Sequence, residues 1–406
     1  MNGTGTIASI RPAGTGTDVI YDALVAIRSH LKMEVAYFSE FVGDRSVFRR
    51  VDAPGLEHLI KEGDSQSLDD VYCNHILEGR LPELIADTSA EPVAQAMPIT
   101  GAVPIGSHAS VPIRYPDGRP YGMFCCLSPR PNPTLNERDL EMMRVFAGLA
   151  TRQLHLELEE EQASHDRRRL VEAVIEDEAF NIVYQPIVDL ASMRTVSFEA
   201  LTRFRKEPYR SPDHWFADAA AVGLGLEMEL AAIRAAIAAF PRLPKDASLS
   251  VNASPGVVTS GLLEASLDAR HLDRTIVEIT EHAQVDDYAA LRTALDPLIR
   301  KGVKIAVDDA GAGFSGLRHI VQIAPDIIKM DMSLTRGIDE DRARRALASA
   351  MVYYGRETGA AVVAEGIETE GELLTLKLLG IHRGQGYLLG RPGALPAPAA
   401  KRTAVA

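Results

Sequence analysis

Short apolar runs rich in β-branched residues alternate with helical patterns between residues 181 and 393, and this alternation constrains the fold more than any other feature. Eight runs follow one another: NIVYQPIVD, TVSFEAL, SLSVNAS, TIVEITE, VKIAVDDAG, DIIKMD, AAVVAEGIE and GQGYLLGRP. Helical patterns fill most of the intervals, for example at 217–240, 287–301 and 342–357. Eight strands with interleaved helices make up a (β/α)8 TIM-like barrel, so this half of the chain is predicted to be α/β.

The connection between the first two runs departs from a regular barrel. Only residues 190–194 separate them, which is too few to hold a crossover helix. The first two strands are therefore predicted to pair antiparallel.

Polar side chains lie at or near the C-terminal ends of these runs, except Gln385, which opens the last one. They are Glu199, Asn252, Glu278, Asp308, Asp309, Lys329, Glu365 and Gln385. The C-terminal strand ends of a barrel meet at one mouth, where barrel enzymes place their sites. One acid there is commonly a structural carboxylate or a helix cap, but five at one rim need compensating charge. Oxygen-preferring divalent cations such as Mg²⁺, Mn²⁺ or Ca²⁺ are the simplest compensation.

The adjacent acids Asp308 and Asp309 indicate two cations. One carboxylate can lie between both metals while the other binds the second alone, and two metals about 4 Å apart suit phosphodiester hydrolysis. Lys329 is the single cation of the set. Two roles stay open for it: polarising a water or phosphoryl oxygen, or relieving the carboxylates by salt bridges.

Composition limits the class of partner. The net charge of −13 disfavours nonspecific binding to DNA, RNA or anionic lipid. The sequence has neither a signal-peptide pattern at its start nor a run of about 18 apolar residues. Three cysteines in so long a chain favour a reducing compartment. We expect a cytoplasmic protein without nucleic-acid or membrane partners.

The first half predicts a smaller α+β domain. A helical pattern at 18–31 precedes two hairpin patterns, which turn at Gly43-Asp44 and at Pro116-Asp117-Gly118. Thr134 with Glu137 reads as a capping box that opens a long helix. This order favours an antiparallel sheet with helices packed against it.

The stretch 139–177 is predicted to be one connecting helix. One apolar column recurs every seven residues, at Met142, Leu149, Leu156, Ala163 and Leu170. A coiled coil needs a second column, but Arg152, Glu159 and Asp166 stand three residues on. A solvated connection and a weak dimer contact both stay open.

SFEALTRF, with Glu199-Ala200-Leu201, resembles the signature of the EAL-domain phosphodiesterases. YQPIVDL, VNAS, EITE, AVDDAGAGFSGL, IIKMD, AEGIE and QGYLLGRP resemble further motifs of that family, in its order and at its spacings. The resemblance covers roughly 167–393. It implies hydrolysis of cyclic di-GMP to linear pGpG with two Mg²⁺ or Mn²⁺ ions, in a homodimer.

The resemblance also implies a role for each site residue. One metal would be held by Glu199, Asn252, Glu278 and Asp308, and the second by Asp308, Asp309 and Glu365. Lys329 would lie near the attacking water, and Gln385 would complete the metal and water network and border the substrate. Gln185 and Arg203 would contact substrate, and Glu281 would brace the loop after Asp309.

The loop after the acidic pair departs from the family. An aromatic residue and often a threonine are usual where this chain has Ala310 and Ala312, while Gly311 and Gly313 are retained. No implied metal ligand is lost. The departure concerns the coupling of this loop to dimer contacts.

Residues 17–155 resemble a GAF sensory domain through YCNHIL, GRLPELIADT and YGMFCCLS. Cys73 with His75 suggests a metal or chromophore contact, but two ligands are too few for a closed site, so core packing is expected. Cys125 and Cys126 are strand neighbours and should point to opposite faces. Residues 1–16 and 394–406 are expected to be a disordered lead and tail.

The leading hypothesis is a cyclic di-GMP phosphodiesterase regulated by its N-terminal domain, whose own ligand is not specified. The alternative is a catalytically silent cyclic di-GMP receptor that signals through the GAF half. A scaffold whose acids form only salt bridges is a third reading. No GGDEF motif occurs, so synthesis of the nucleotide is not expected.

Overall fold

The computed structural model describes residues 18–207, 209–279, 287–310 and 314–395. The expected lead at 1–16, most of the expected tail at 394–406, Glu281 and Ala312 lie outside these ranges. The chain divides between Ala163 and Ser164 into two compact units.

The first unit contains one antiparallel sheet. Its elements are α1 (Val19–Leu31), β1 (Val35–Val42), β2 (Arg45–Asp52), β3 (Ser65–Ser67), α2 (Tyr72–Leu77), β4 (Leu84–Ile85), α3 (Pro92–Ala96), α4 (Pro98–Ala102), β5 (Ser107–Arg114), β6 (Pro120–Ser128) and the first part of α5 (Glu137–Glu176). Within the described residues, six strands pair antiparallel in the order β3-β2-β1-β6-β5-β4. The α+β prediction is confirmed.

Successive side chains of the central strands point to opposite faces of the sheet, and both faces are buried. Phe38 and Cys126 pack on the face covered by α1 and α5, whereas Tyr37 and Cys125 pack on the other. The prediction that Cys125 and Cys126 point to opposite faces is confirmed, and both thiols are free and buried. Cys73 belongs to the second face, in agreement with core packing.

The predicted capping box is wrong by two residues. α5 begins at Glu137, and Asn136 precedes it. Asn136 Oδ1 accepts from the backbone N–H of Arg138 at 2.9 Å, and the Asn136 N–H donates to Asp139 Oδ2 at 3.0 Å. This is the same reciprocal arrangement in a different register. The hydroxyl of Thr134 instead donates to Asn132.

One side of α5 carries exposed apolar residues. Met142, Leu149 and Leu156 of the seven-residue column are exposed, and so is Val145, which is 60% exposed. Val145 stands three residues after Met142. It is the one apolar residue of the second column that a coiled coil would need, because Arg152, Glu159 and Asp166 occupy the later positions. α5 has 40 residues, yet no described helix is both long and apolar enough to cross a membrane.

The second unit is a closed barrel. Its elements after α5 are β7 (Phe180–Asp189), β8 (Arg194–Phe204), α6 (Pro212–Ala221), α7 (Gly225–Ile237), β9 (Ser248–Ala253), α8 (Pro255–Thr259), α9 (Leu263–Ser266), β10 (Thr275–Ile279), α10 (Tyr288–Arg300), β11 (Lys304–Ala310), α11 (Phe314–Ile323), β12 (Ile327–Met330), α12 (Met332–Thr335), α13 (Arg342–Thr358), β13 (Ala361–Ala364), α14 (Glu370–Leu378) and β14 (Arg383–Gly384). In the described part, eight strands close in the order β10-β11-β12-β13-β14-β7-β8-β9. The barrel prediction is confirmed.

β7 runs against both of its neighbours. It pairs antiparallel with β8 and with β14, whereas the other neighbouring pairs around the barrel are parallel. The five-residue link predicted this reversal, because a parallel pair needs a crossover.

The eighth predicted strand is corrected. GQGYLLGRP was expected to be a strand opened by Gln385, but β14 is only Arg383–Gly384 and ends directly before it. A Cβ on Gly384 would lie 2.5 Å from Ile367 Cδ1, so a larger residue there would displace that side chain. Gln385 therefore also lies at a C-terminal strand end.

Gly122 tests the packing of the first sheet. A Cβ there would lie 1.7 Å from the carbonyl oxygen of Ser39 on the paired strand β1. We expect Gly122→Ala to lower the free energy of unfolding by about 3 kcal/mol, because the backbone must move apart. Gly148→Ala in α5 is the control: nothing lies within 4 Å of its added Cβ, and alanine favours a helix by up to about 1 kcal/mol. Urea unfolding followed by circular dichroism measures both, and unchanged stability of Gly122→Ala would contradict the described strand contact.

Candidate active site

Lys329 lies at the centre of the barrel mouth. It is the third residue of β12, and its side chain is 1% exposed. Four carboxylates surround its Nζ atom: Glu365 Oε1 at 2.8 Å, Glu278 Oε2 and Asp308 Oδ1 at 2.9 Å, and Glu199 Oε2 at 3.4 Å. Acids from four other strands or strand ends therefore converge on one ammonium group.

Strand periodicity explains this convergence. Part of the barrel interior is an apolar layer that includes Ile276, Ala306, Ile327 and Val363. Two residues further along the same strands, and so on the same face, stand Glu278, Asp308, Lys329 and Glu365. On the reversed strand β7, the polar residue precedes the apolar one by two, so that Gln185 comes before Ile187. The polar layer lies directly above the apolar layer.

The carboxylates form two groups that share one member. Oxygens of Glu199, Glu278 and Asp308 lie within 4.8 Å of one another, and so do oxygens of Asp308, Asp309 and Glu365. These are the acids of the two ligand sets that the resemblance implies. Asn252 of the first set is in register with Glu278 on the neighbouring strand β9.

A backbone irregularity lets two consecutive acids face one site. Successive residues of a regular strand point to opposite faces. Asp309, however, has a φ of +52°, and the β11–β12 pairing shifts register between Val307 and Ala310. Aspartate is one of the few residues that tolerate this left-handed conformation. Nothing in the sequence pattern indicated the irregularity.

A chain of side-chain amides adjoins Glu199. Gln385 Nε2 donates to Glu199 Oε2 at 2.5 Å and to Gln185 Oε1 at 2.9 Å. Gln185 Nε2 in turn donates to the carbonyl of Gly390 at 3.1 Å. Gln185 and Gln385 thus fix the orientation of Glu199. The Gly390 carbonyl was not anticipated, because main-chain acceptors leave no trace in side-chain patterns.

Arg203 lies at the C-terminal end of β8, outside this network. Its Nη1 donates to the carbonyl of Thr202 at 2.8 Å, and in the described part of the chain no hydrogen bond joins it to the carboxylates. The residue is half-buried. Glu281, the other implied loop contact, lies outside the described residues.

Burial strongly changes the pKa values of the acids and of the lysine in this cluster. It raises the pKa of Glu278 to about 8, with the ammonium of Lys329 acting in the opposite direction. It also raises the pKa of Glu365 well above the usual range. Burial alone would lower the pKa of Lys329, but the surrounding carboxylates, led by Asp308, hold this pKa well above its usual range. The lysine therefore stays charged, and one cation compensates only part of the acid cluster.

The donor set fits hard divalent cations. Five carboxylates make up the two groups, the Asn252 amide is in register with one of them, and all of these side chains offer oxygen. Two buried oxygens, Asp308 Oδ1 and Gln385 Oε1, accept no hydrogen bond among the described residues; the former only forms its ion pair with Lys329. Of the described His, Cys, Asp and Glu residues, no other group of three or more has ligand atoms this close together.

A substitution of Lys329 tests whether cations can replace its positive charge among the carboxylates. Lys329→Met leaves the carboxylates without their ammonium, and removing one partner of a buried ion pair costs about 3–5 kcal/mol. We expect that loss in thermal unfolding with EDTA, and a smaller loss with Mg²⁺, which can take over the charge. Lys301→Met is the control, because Lys301 pairs with Glu264 on the exposed surface and should change stability by less than about 0.5 kcal/mol. Equal losses in EDTA and Mg²⁺ would argue against cation binding by these acids.

Comparison with known proteins agrees with this geometry. The family model of the EAL domain matches residues 167–392, and that of the GAF domain matches residues 16–155. A cyclic di-GMP phosphodiesterase of Pseudomonas aeruginosa is 31% identical over 234 residues, which are 55% of this chain and 40% of that protein. The chain thus spans less than half the length of this relative.

Two solved structures are similar to the chain. An EAL domain protein from Listeria monocytogenes EGD-e is 26% identical with a TM-score of 0.50, over 55% of this chain and 92% of that one. An EAL enzyme solved in a form bound to cAMP and cyclic di-GMP has a TM-score of 0.53 over 89% of this chain and 91% of that one; at 20% identity it shows the fold alone. The EAL match covers more than half of the chain, and the barrel with its acidic mouth agrees with it: the chain belongs to the EAL domain family, with a GAF domain ahead of its barrel.

Proposed function

We propose that the chain hydrolyses cyclic di-GMP to linear pGpG with two Mg²⁺ or Mn²⁺ ions, under the control of its GAF domain. The observation that carries this proposal is that the acids form two clusters of three, with Asp308 as a member of both. Two groups with one common member suit two adjacent cations, which is the arrangement that phosphodiester hydrolysis uses. The substrate itself is inferred from family membership and from the name of the Pseudomonas relative.

The two cations would take two sets of oxygen ligands that share Asp308. Glu199, Glu278 and Asp308, with the Asn252 amide, would hold the first. Asp308, Asp309 and Glu365 would hold the second. When bound, such cations neutralise phosphoryl charge and increase the acidity of a coordinated water.

Lys329 would act beside the cations. With them in place, its carboxylate neighbours have other partners, and its ammonium is free to donate a hydrogen bond to the attacking water or to a phosphoryl oxygen. Both roles left open by the sequence are compatible: Lys329 is a salt-bridge centre without cations and a hydrogen-bond donor with them.

Three further side chains would position the substrate. Arg203 is half-buried and has no acid partner among the described residues, so the N–H groups along the edge of its guanidinium can donate to a phosphate. Gln385 and Gln185 hold Glu199 through their hydrogen bonds and border the same mouth. They are positioning residues for the metal ligand as well as possible substrate contacts.

An activity assay tests the proposal. The chain is incubated with cyclic di-GMP and Mn²⁺ or Mg²⁺, and pGpG is followed by chromatography. We expect product, a loss of at least about a hundredfold for Glu199→Gln, and little product with Ca²⁺, which prefers longer and looser coordination. Glu264→Gln is the matched control, because Glu264 lies on the surface in an exposed ion pair.

The outcomes separate the competing functions. Binding of cyclic di-GMP without cleavage would favour the silent receptor, and neither binding nor cleavage would favour the scaffold. The presence of the full acidic set supports the enzyme over both. Cleavage that survives Glu199→Gln would refute the ligand assignment while leaving the activity.

We also infer that the chain forms a homodimer through the exposed column of α5. Met142, Val145 and Leu149 make an apolar patch that a second copy can cover. Leu149→Glu should shift the mass in analytical ultracentrifugation to that of a monomer, whereas Leu378→Glu, at an exposed leucine of α14, should not. A wild-type chain that is monomeric at tens of micromolar would contradict the inference.

A further inference from the structure

Glu229 is a carboxylate of the second unit that stands apart from the two acid clusters at the barrel mouth. It lies on α7, and its Oε2 accepts from the backbone N–H of Ser254 at 2.8 Å. Ser254 follows β9 directly and precedes α8. The hydrogen bond therefore joins a helix outside the strands of the barrel to the turn in which β9 ends.

No cation accompanies this carboxylate. Glu229 is half-buried, and among the described residues no lysine, arginine or histidine forms an ion pair with it. Burial raises the pKa of Glu229, while the backbone N–H and the hydroxyl of Ser254 act in the opposite direction. A carboxylate without a counter-charge is costly to bury. Its hydrogen bonding to Ser254 is the interaction that compensates for part of this cost.

Ser254 is held from two sides. Its Oγ accepts from the backbone N–H of Val257 at 3.3 Å, which makes it the N-cap of α8. Its own backbone N–H donates to Glu229. The turn after β9 is thus fixed to the helix that follows it and to α7.

The strand pairing shows why support at this turn matters for Asn252. β9 pairs with β10 as far as Ala253, and this pairing sets Asn252 in register with Glu278. On the other side, the described pairing of β9 with β8 ends at Ser250. Asn252 therefore lies beyond the last pair with β8, and two residues later the contact with Glu229 fixes the chain again.

Asn252 is also the one neutral side chain of the first ligand set. A neutral amide oxygen attracts a cation less strongly than a carboxylate does, so its contribution depends more on accurate placement. Groups that orient a metal ligand without touching the metal commonly contribute about tenfold to a hundredfold to metal affinity. A carboxylate that fixes the backbone two residues after Asn252 is suited to this role.

We propose that Glu229 is a positioning residue for Asn252. By accepting from the N–H of Ser254, it fixes the end of β9 and so the direction in which the Asn252 amide is offered to the first cation. Glu229 itself touches neither cation nor substrate. The proposal rests on the proposed function, because it requires cations at the barrel mouth.

Calorimetric titration of the full chain with Mn²⁺ tests the proposal without relying on catalysis. Glu229→Ala removes the acceptor, and we expect the affinity of one Mn²⁺ site to fall about tenfold while the other keeps its wild-type affinity. Glu229→Gln retains an acceptor oxygen and should keep most of the wild-type affinity. Glu227→Ala is the matched control, because Glu227 is an exposed acid of the same helix and should leave both sites unchanged.

A double variant shows whether Glu229 acts through Asn252. If it does, Glu229→Ala combined with Asn252→Ala should bind Mn²⁺ no more weakly than Asn252→Ala alone. A contact that only stabilises the fold would instead lower the melting temperature in EDTA and leave the Mn²⁺ affinity of the folded chain unchanged. Should Glu229→Ala not fold, Glu229→Asp replaces it, since it keeps the charge, withdraws the carboxylate by one methylene and should also weaken one site.

Three results would overturn the inference. Unchanged Mn²⁺ affinity of both sites in Glu229→Ala would overturn it and leave the proposed hydrolysis standing, and so would fully additive losses in the double variant. A wild-type chain that binds no Mn²⁺ would overturn the proposed two-cation function and this inference with it.

Discussion

One ammonium group among four carboxylates determines the character of the barrel mouth. Lys329 lies within 3.4 Å of acids that come from four separate strands or strand ends, so the closure of the barrel brings like charges together. The apolar layer beneath, with Ile276 and Ile327, supplies the burial that stabilises this arrangement. A single lysine offsets only part of the repulsion, and the remainder is the physical reason for proposing divalent cations at this mouth.

Much of this site could be predicted from the sequence because it follows from strand periodicity. A polar residue two positions after an interior apolar residue must share its face, and parallel strands deliver such residues to one rim. The reversed direction of β7 could be predicted as well, since residues 190–194 are too few for a crossover. Neither argument needs long-range information.

Other features depend on contacts between distant parts of the chain. The hydrogen bonds of Gln385 to Gln185 and Glu199 span about 200 residues, and no local pattern encodes them. The left-handed backbone at Asp309 is fixed by the register of β11 against β12. Likewise the hydrogen bond that joins Glu229 of α7 to the turn after β9 follows from packing and not from periodicity.

The reversed direction of β7 has a mechanical consequence. Phe180, its first residue, pairs with Phe204 at the C-terminal end of β8, so the chain that leaves α5 enters the barrel at the rim that bears the acids. If β7 ran in the same direction as the other strands, the chain would enter at the opposite end of the barrel. With ten residues in β7, that end lies about 33 Å from the acidic rim. Only five residues separate Phe180 from Gln185, so the end of α5 lies close along the chain to the amides that hold Glu199. The inverted strand thus makes the link between α5 and the acidic rim of the barrel a short one.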